Sequence, residues 1–269
     1  MFSFLWYNEF KSFKMTNKQK AKILLFDIEI APAHGWFWQM YDTNIIEVSE
    51  HSYMLSFSYK WLGESKVYTY KLPDFSGYIK NPKDDKKLLI ELSKLISEAD
   101  IVIAHNGDKF DITFTNTRLV ANGLKPMALP KTIDTLKVAR SKFRFLSNRL
   151  DDLGNFLGVG RKLPHTGKHL WFGCMNNDKT SWKLMQKYNE QDVRLLEAVY
   201  YKLRPWMTNH PNLNVINGTL QSCRNCGSKH LQKRGVLTTT TGTKQRFQCQ
   251  DCGSWSTGKS ETVKDLVIR

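Results

Sequence analysis

Between residues 22 and 30 the chain reads K-I-L-L-F-D-I-E-I, an apolar run broken only by Asp27 and Glu29. Its length and character are those of a buried strand. Strand side chains alternate with period two, so both acids point to one face. Two more acids stand in defined settings, Asp111 in H-N-G-D-K-F-D and Asp192 in Y-N-E-Q-D-V. Carboxylates from three separate elements can complete a pocket for two divalent cations, and a cation pair clamps the attacking and leaving oxygens of a phosphodiester. The first expectation is a metal-dependent nuclease.

Singly, each motif has an ordinary reading. A D-x-E in a strand is commonly a solvated edge, an N-G-x-x-F-D can be a turn whose Asp caps a helix, and a Y-x-x-x-D is often a surface pair. Order and setting separate the cases. The first motif follows a buried strand, the second links a strand to a helix, and the third sits on a late helix.

The rest of the chain predicts the scaffold. Strands are expected at 53–61 and 66–72, joined at Gly63-Glu64. A helix at 84–98 places Leu88, Leu89, Leu92, Leu95 and Ile96 on one face. A short buried strand at 101–104 precedes a helix at 108–122 ended by Gly123, then a short strand at 132–134. Helices at 148–157 and 181–203 flank a polar connection at 161–179. This order predicts an α/β fold, a mixed sheet flanked by helices. The domain reading is an N-terminal extension over 1–20, a catalytic domain over 21–205, a linker over 206–220 rich in Asn and Pro, and a cysteine-bearing module with its tail over 221–269.

Together the acidic motifs resemble those of the DEDD superfamily of 3′→5′ exonucleases, in its DnaQ-like, ribonuclease H-like form. The resemblance runs over 22–203. Tyr188, four residues before Asp192, is similar to the tyrosine branch; the histidine branch would place His where Lys187 stands. The N-G-x-x-F-D form resembles the proofreading domains of family B polymerases. The segments Asp134-Thr135, Leu150-Asp151-Asp152-Leu153 and Gly158-Val159-Gly160-Arg161-Lys162 also look like stand-alone exonucleases, many of them phage-encoded. The resemblance implies that Asp27, Glu29, Asp111 and Asp192 hold two Mg²⁺ or Mn²⁺ ions, hard cations that take carboxylate oxygens. A tyrosine hydroxyl is a poor base, so Tyr188 is expected to orient the water that the metal acidifies. Asn106 and Phe110 are expected to shape the pocket for the 3′-terminal nucleotide, with turn formation and core packing as their ordinary roles.

Trp36, Phe37 and Trp38 follow the first acidic strand and can stack on unpaired bases or belong to the core. His34 and His105 read as structural. His165 and His169 are four apart, but Gly167 between them argues against a helical metal pair; with Lys162 and Lys168 they can touch phosphate. Cys174 reads as a small buried apolar residue.

The other four cysteines form two C-x-x-C pairs, Cys223/Cys226 and Cys249/Cys252, with 22 residues between the pairs. Gly227 and Gly253 follow the pairs and permit tight turns. Strands at 236–241 and 244–249 around Gly242 complete the pattern of a zinc ribbon, similar to those of transposases and transcription factors, with one Zn²⁺ in a closed structural site. Paired thiols of this kind point to a reducing compartment and hence the cytoplasm, the host's if the chain is phage-encoded.

The formal charge of +15, from 40 Lys+Arg against 25 Asp+Glu, favours a polyanionic partner, nucleic acid first. From Arg204 onward ten basic residues face three acids, which supports nucleic-acid binding by the ribbon, with protein docking as the alternative. No apolar run approaches a membrane span. The first ten residues carry Phe2, Phe4, Leu5, Trp6 and Phe10 without a basic leader, which argues against a signal peptide; Met15 would also serve as a start. DNA is favoured over RNA by the polymerase likeness, with RNA trimming or a non-catalytic nucleic-acid adaptor as alternatives and a replication or repair protein as a possible partner.

Overall fold

The fold is described from a computed structural model for residues 20–39, 41, 44–219 and 221–262, with side chains omitted at 260–262. Apart from residue 20, the N-terminal extension lies outside the described residues, as does the tail beyond 262.

The central sheet has five strands: β1 (Ile23–Ile30), β4 (Met54–Trp61), β5 (Tyr68–Lys71), β6 (Ile101–Ala104) and β7 (Lys131–Asp134). Their spatial order is β5-β4-β1-β6-β7. β5, β4 and β1 run antiparallel, while β1, β6 and β7 run parallel, so the sheet is mixed. Between β1 and β4 the chain makes a small antiparallel pair, β2 (His34–Trp36) with β3 (Glu47–Glu50). The β4–β5 turn is the expected one, with Gly63 at φ +93°.

Alternation along β1 sorts the core into two layers. Leu24, Phe26 and Ile28 pack with Leu88, Leu89, Leu92 and Ile96 of helix α1 (Lys86–Glu98). Ile23 and Leu25 face the opposite way, toward Val193, Leu196, Val199 and Tyr200. Those four belong to α6 (Lys179–Leu203), a 25-residue helix and the longest element. Asp27 and Glu29 share the parity of Leu25 and so lie on the α6 side. Opposite them β4 places Ser58 and Ser56, small residues that let α6 approach.

α2 (Asp111–Ala121) follows β6, with Gly123 just past its end at φ +63°. α3 (Thr135–Lys142) follows β7 directly and is capped by Asp134, whose carboxylate accepts from the Leu136 and Lys137 amides. α4 (Leu150–Phe156) matches the expected helix there. The stretch 161–179, expected as a polar connection, contains a helix, α5 (Lys168–Met175). Its Gly173 is a contact point and not a breaker. A Cβ there would sit 2.0 Å from Ser181 Oγ, so α5 and α6 approach this closely only with glycine.

Of the stretch expected as a linker, residues 206–219 are described, and they are anchored on the core of the expected catalytic domain. Met207 and Leu213 are buried in the α6 layer. His210 is buried and bonded to Tyr200 Oη at 2.8 Å. A short helix, α7 (Leu213–Ile216), follows, and Asn217 Oδ1 accepts from Ala21 N at 2.7 Å, tying this segment to the start of β1.

Beyond it stands a separate antiparallel sheet of β8 (Leu231–Thr239), β9 (Gly242–Cys249) and β10 (Trp255–Thr262), in the order β10-β9-β8. The first two strands were expected, though β8 starts earlier; β10 was not. Most residues of β8 are exposed, and the large buried side chains of the chain lie elsewhere. Among the described residues no helix is long and apolar enough to cross a membrane.

Candidate active site and cysteine cluster

Three of the four predicted acids converge. Carboxylate oxygens of Asp27, Glu29 and Asp192 all lie within 4.8 Å of one another. β1 supplies the first two from adjacent positions on one face, and α6 brings Asp192 down onto that face. Asp111 sits beside them at the start of α2, only 2% exposed. One of its oxygens is engaged, accepting from Ile28 N at 3.1 Å, so it braces β1 between the other two acids.

The neighbours of this cluster come from distant parts of the chain. Asn189 Nδ2 donates to Asp27 Oδ2 at 2.8 Å, and Trp171 Nε1 donates to Glu29 Oε2 at 3.1 Å. Lys162 Nζ lies 2.6 Å from Asp192 Oδ2 and donates to Tyr188 Oη at 3.1 Å. Asp192 Oδ1 is buried and makes no hydrogen bond among the described residues. A buried carboxylate oxygen without a partner is costly, and a cation bound by the three acids would satisfy it.

The electrostatics carry the same signature. Burial, then repulsion from Asp192, Asp111 and Glu29, raises the Asp27 pKa well above its ordinary value. Burial and Asp192 push Glu29 up to about 8. Burial raises Asp111 to about 7 in spite of the Ile28 amide, and burial also raises Asp192, opposed by Lys162. Burial would lower the Lys162 pKa, but Asp192 and Asp27 outweigh it and hold the ammonium charged. Tyr188 is pushed up by burial and by Asp192, which keeps its hydroxyl protonated. These acids repel one another in the absence of metal, and oxygen donors of this kind suit a hard divalent cation.

A cleft of about 540 Å³ opens from Asp27 past Asn106, and Arg140, Arg149 and Lys162 line it. Asn106 holds a left-handed backbone at φ +67°, and its amide donates to Asp134 Oδ1 at 2.9 Å. That strained turn fixes the passage from β6 to α2. Phe110 is 41% exposed and stacks on Phe114, while Trp36 is 67% exposed on the β2–β3 pair; neither lines the cleft. His105 is fully used in structure, bonded to Thr135 Oγ1 and to the Asn148 carbonyl. The rings of His165 and Trp171 both pack edge-on to Tyr188, so His165 walls the acid cluster, while Gly167 caps α5 between it and His169.

Trp171 and Asn189 are the contributors that sequence reasoning passed over as site residues, while Lys162, expected only to touch phosphate, also pairs with Asp192 and Tyr188. Asn189 had a usable signal. It lies three residues before Asp192, a polar pair on an otherwise apolar stripe of α6.

The four paired cysteines also converge, their sulfurs within 4.8 Å of one another. Cys223 and Cys252, and Cys226 and Cys249, stand 3.6 Å apart. The edge of a tetrahedron of thiolates around Zn²⁺ is about 3.8 Å for a Zn–S bond of about 2.3 Å, so the spacing fits that ion. The two turns are built alike. Gly227 and Gly253 take φ +75° and +77°, and each donates its amide back to the first cysteine of its pair.

Residues 43–204 match the RNase_H superfamily. One curated relative is the DNA polymerase III PolC-type of Ureaplasma parvum serovar 3, 32% identical over 145 residues. The match covers 50% of this chain and only 9% of that polymerase. Among solved structures, the family B DNA polymerase of the hyperthermophilic archaeon Pyrobaculum calidifontis aligns over 83% of this chain and 32% of its own. Its TM-score is 0.52 at 14% identity, a likeness of fold.

Proposed function

The chain belongs to the RNase_H superfamily, and from that premise we propose that it is a metal-dependent 3′→5′ exonuclease of the tyrosine branch acting on single-stranded DNA. The observation that carries this reading is the convergence of the carboxylates of Asp27, Glu29 and Asp192, their oxygens within 4.8 Å of one another. Likeness to two proteins named as DNA polymerases favours DNA as the substrate.

Asp27, Glu29, Asp111 and Asp192 would hold two Mg²⁺ or Mn²⁺ ions, which supply acidity to water and neutralise the phosphate. The reaction adds water across the bond between phosphorus and O3′; the released mononucleotide keeps the 5′-phosphate and the shortened strand gains a 3′-hydroxyl. Tyr188, kept protonated, orients the attacking water through its hydroxyl. Lys162 holds that hydroxyl and Asp192 in one geometry and adds positive charge beside the phosphate. Trp171 and Asn189 fix the carboxylates of Glu29 and Asp27, a positioning role that metal ligands generally require. The cleft lined by Asn106, Arg140 and Arg149 receives the terminal nucleotide. Cys223, Cys226, Cys249 and Cys252 hold one Zn²⁺ in a ribbon whose basic surface retains the strand.

An oligonucleotide labelled at its 5′ end tests the reading. With Mg²⁺ or Mn²⁺ it shortens in single-nucleotide steps, EDTA stops the reaction, and a blocked 3′ end or a circular strand resists. Parallel arms with RNA and duplex DNA decide the substrate. Cleavage of the circle, or hydrolysis unaffected by EDTA, would sink the proposal.

A further inference from the structure

A second concavity shares no lining residue with the acid cleft. It encloses about 720 Å³ between the segment that follows β5 and the first turns of α6. Phe75, Tyr78 and Trp182 form its apolar floor, and Ile79, 80% exposed, stands at its lip. Trp182 Nε1 donates to Tyr78 Oη at 3.3 Å with the rings edge to face, so these two turn their polar atoms to each other. Phe75 already stacks on Tyr70.

The rim is basic. Lys80, Lys179 and Lys183 are exposed and make no ion pair among the described residues, whereas Lys71 is engaged by Asp74 and Gln186. The nearby Asp178 is used in capping α6, accepting from Thr180 and Ser181. Lys179 and Lys183 are four apart at the start of a helix. Like charges at that spacing repel, and the helix dipole disfavours cations at its N-terminal end. An anionic occupant would relieve both costs.

A nucleic-acid strand would need free aromatic faces for its bases, and the floor rings are buried or already stacked. An apolar side chain fits the floor better than a base. We propose that this groove docks a short acidic segment of a partner protein. One bulky apolar side chain rests on the floor of Phe75, Tyr78 and Trp182, and flanking carboxylates pair with Lys80, Lys179 and Lys183. This docking is independent of the hydrolytic reading.

The full-length protein is screened against a displayed library of random peptides, and enriched sequences are synthesised with fluorescein and titrated by anisotropy. The expected peptides carry at least two acidic residues beside a Leu, Ile, Phe or Trp. Lys179→Glu with Lys183→Glu should weaken them about tenfold or more, since both charge pairs become repulsive. Digestion of an oligonucleotide by the same variant should proceed at the wild-type rate. Enrichment of peptides without acids, no enrichment, or affinity untouched by charge reversal would overturn the proposal. So would a comparable loss of oligo-dT affinity with no peptide enriched, which would make the groove a track for nucleic acid.

Discussion

Two clusters of side chains that could hold metal sit in very different surroundings. The acids gather at β1, which supplies Asp27 and Glu29 at the centre of a five-stranded sheet with packed layers on both faces, while α2 and α6 bring Asp111 and Asp192. The cysteines join two turns at the end of a three-stranded sheet in which β8 is largely exposed and β9 only half-buried. The first unit has a core that does not need the ligands; it carries them at a cost, as mutually repelling carboxylates held out of water. The second has little apolar surface to bury, so a metal held by its four thiols would be its main source of cohesion. A cluster that burdens its fold reads as chemistry, and a cluster that makes its fold reads as structure.

The largest effect should come from breaking the thiol cluster. Cys223→Ser with Cys249→Ser should abolish zinc binding, about one ion per chain by metal analysis in the wild type, and remove on the order of 10 kcal/mol from the small sheet. Hydrogen exchange should show β8–β10 unprotected while β1, β4 and β6 keep their protection. Uniform loss of protection would show that the two units fold as one.

Breaking the acid cluster should do the reverse. Asp27→Asn should lower hydrolysis by about 10³-fold, the scale of a lost transition-state charge stabiliser. The urea midpoint of metal-free protein should stay level or rise, because one repelling charge is gone. A destabilised variant would mean that Asp27 is part of the scaffold.

Leu92→Ala tests the core directly. The side chain is fully buried under the sheet, and truncation should cost about 3 kcal/mol in urea unfolding. Zinc content should remain unchanged, since the small sheet does not share that core. Tyr188→Phe should slow turnover by about 10²-fold with little change in oligonucleotide affinity; an unchanged rate would leave the tyrosine a packing residue.

The last effect is one of pH. Glu29, raised from 4.5 to about 8, and Asp111, raised from 3.8 to about 7, hold protons in the native protein that the unfolded chain has released. That contribution is complete below about pH 4 and is lost as pH climbs through 7 and 8. In EDTA the unfolding free energy should therefore fall as pH rises from 5.5 to 8. Saturating Mg²⁺ should flatten or invert the slope, because metal selects the ionised acids. An EDTA profile that rises with pH would show that the acids are not held apart from water and from each other as described.

What was legible in the sequence follows from locality. β1, β4, β6 and α1 announce themselves by apolar period, and the cysteine pairs by spacing. The missed elements lack those signals. α5 contains Gly173, which marks a close helix crossing but reads as a breaker. β2 and β3 are three and four residues long, and β10 is rich in Ser and Thr. The 206–220 stretch has a linker's composition, yet Met207, His210 and Leu213 anchor it. Among site residues, the acids were readable because D-x-E on a strand is a local pattern. Trp171 and Asn189 were not, because they meet their carboxylates only through contacts 142 and 162 residues long.

That separation has a consequence for the birth of the protein. The sheet strands leave the ribosome first, and α6 follows far behind, with 162 residues between Asp27 and its partner Asn189. At about 5–20 residues per second the nascent chain spends on the order of ten seconds or more with half a pocket. During that interval Asp27 and Glu29 lack Asp192, Tyr188 and the helix that shields them. A translation product cut short before α6 would lack Tyr188, Asn189 and Asp192, the side of the cluster that this helix supplies.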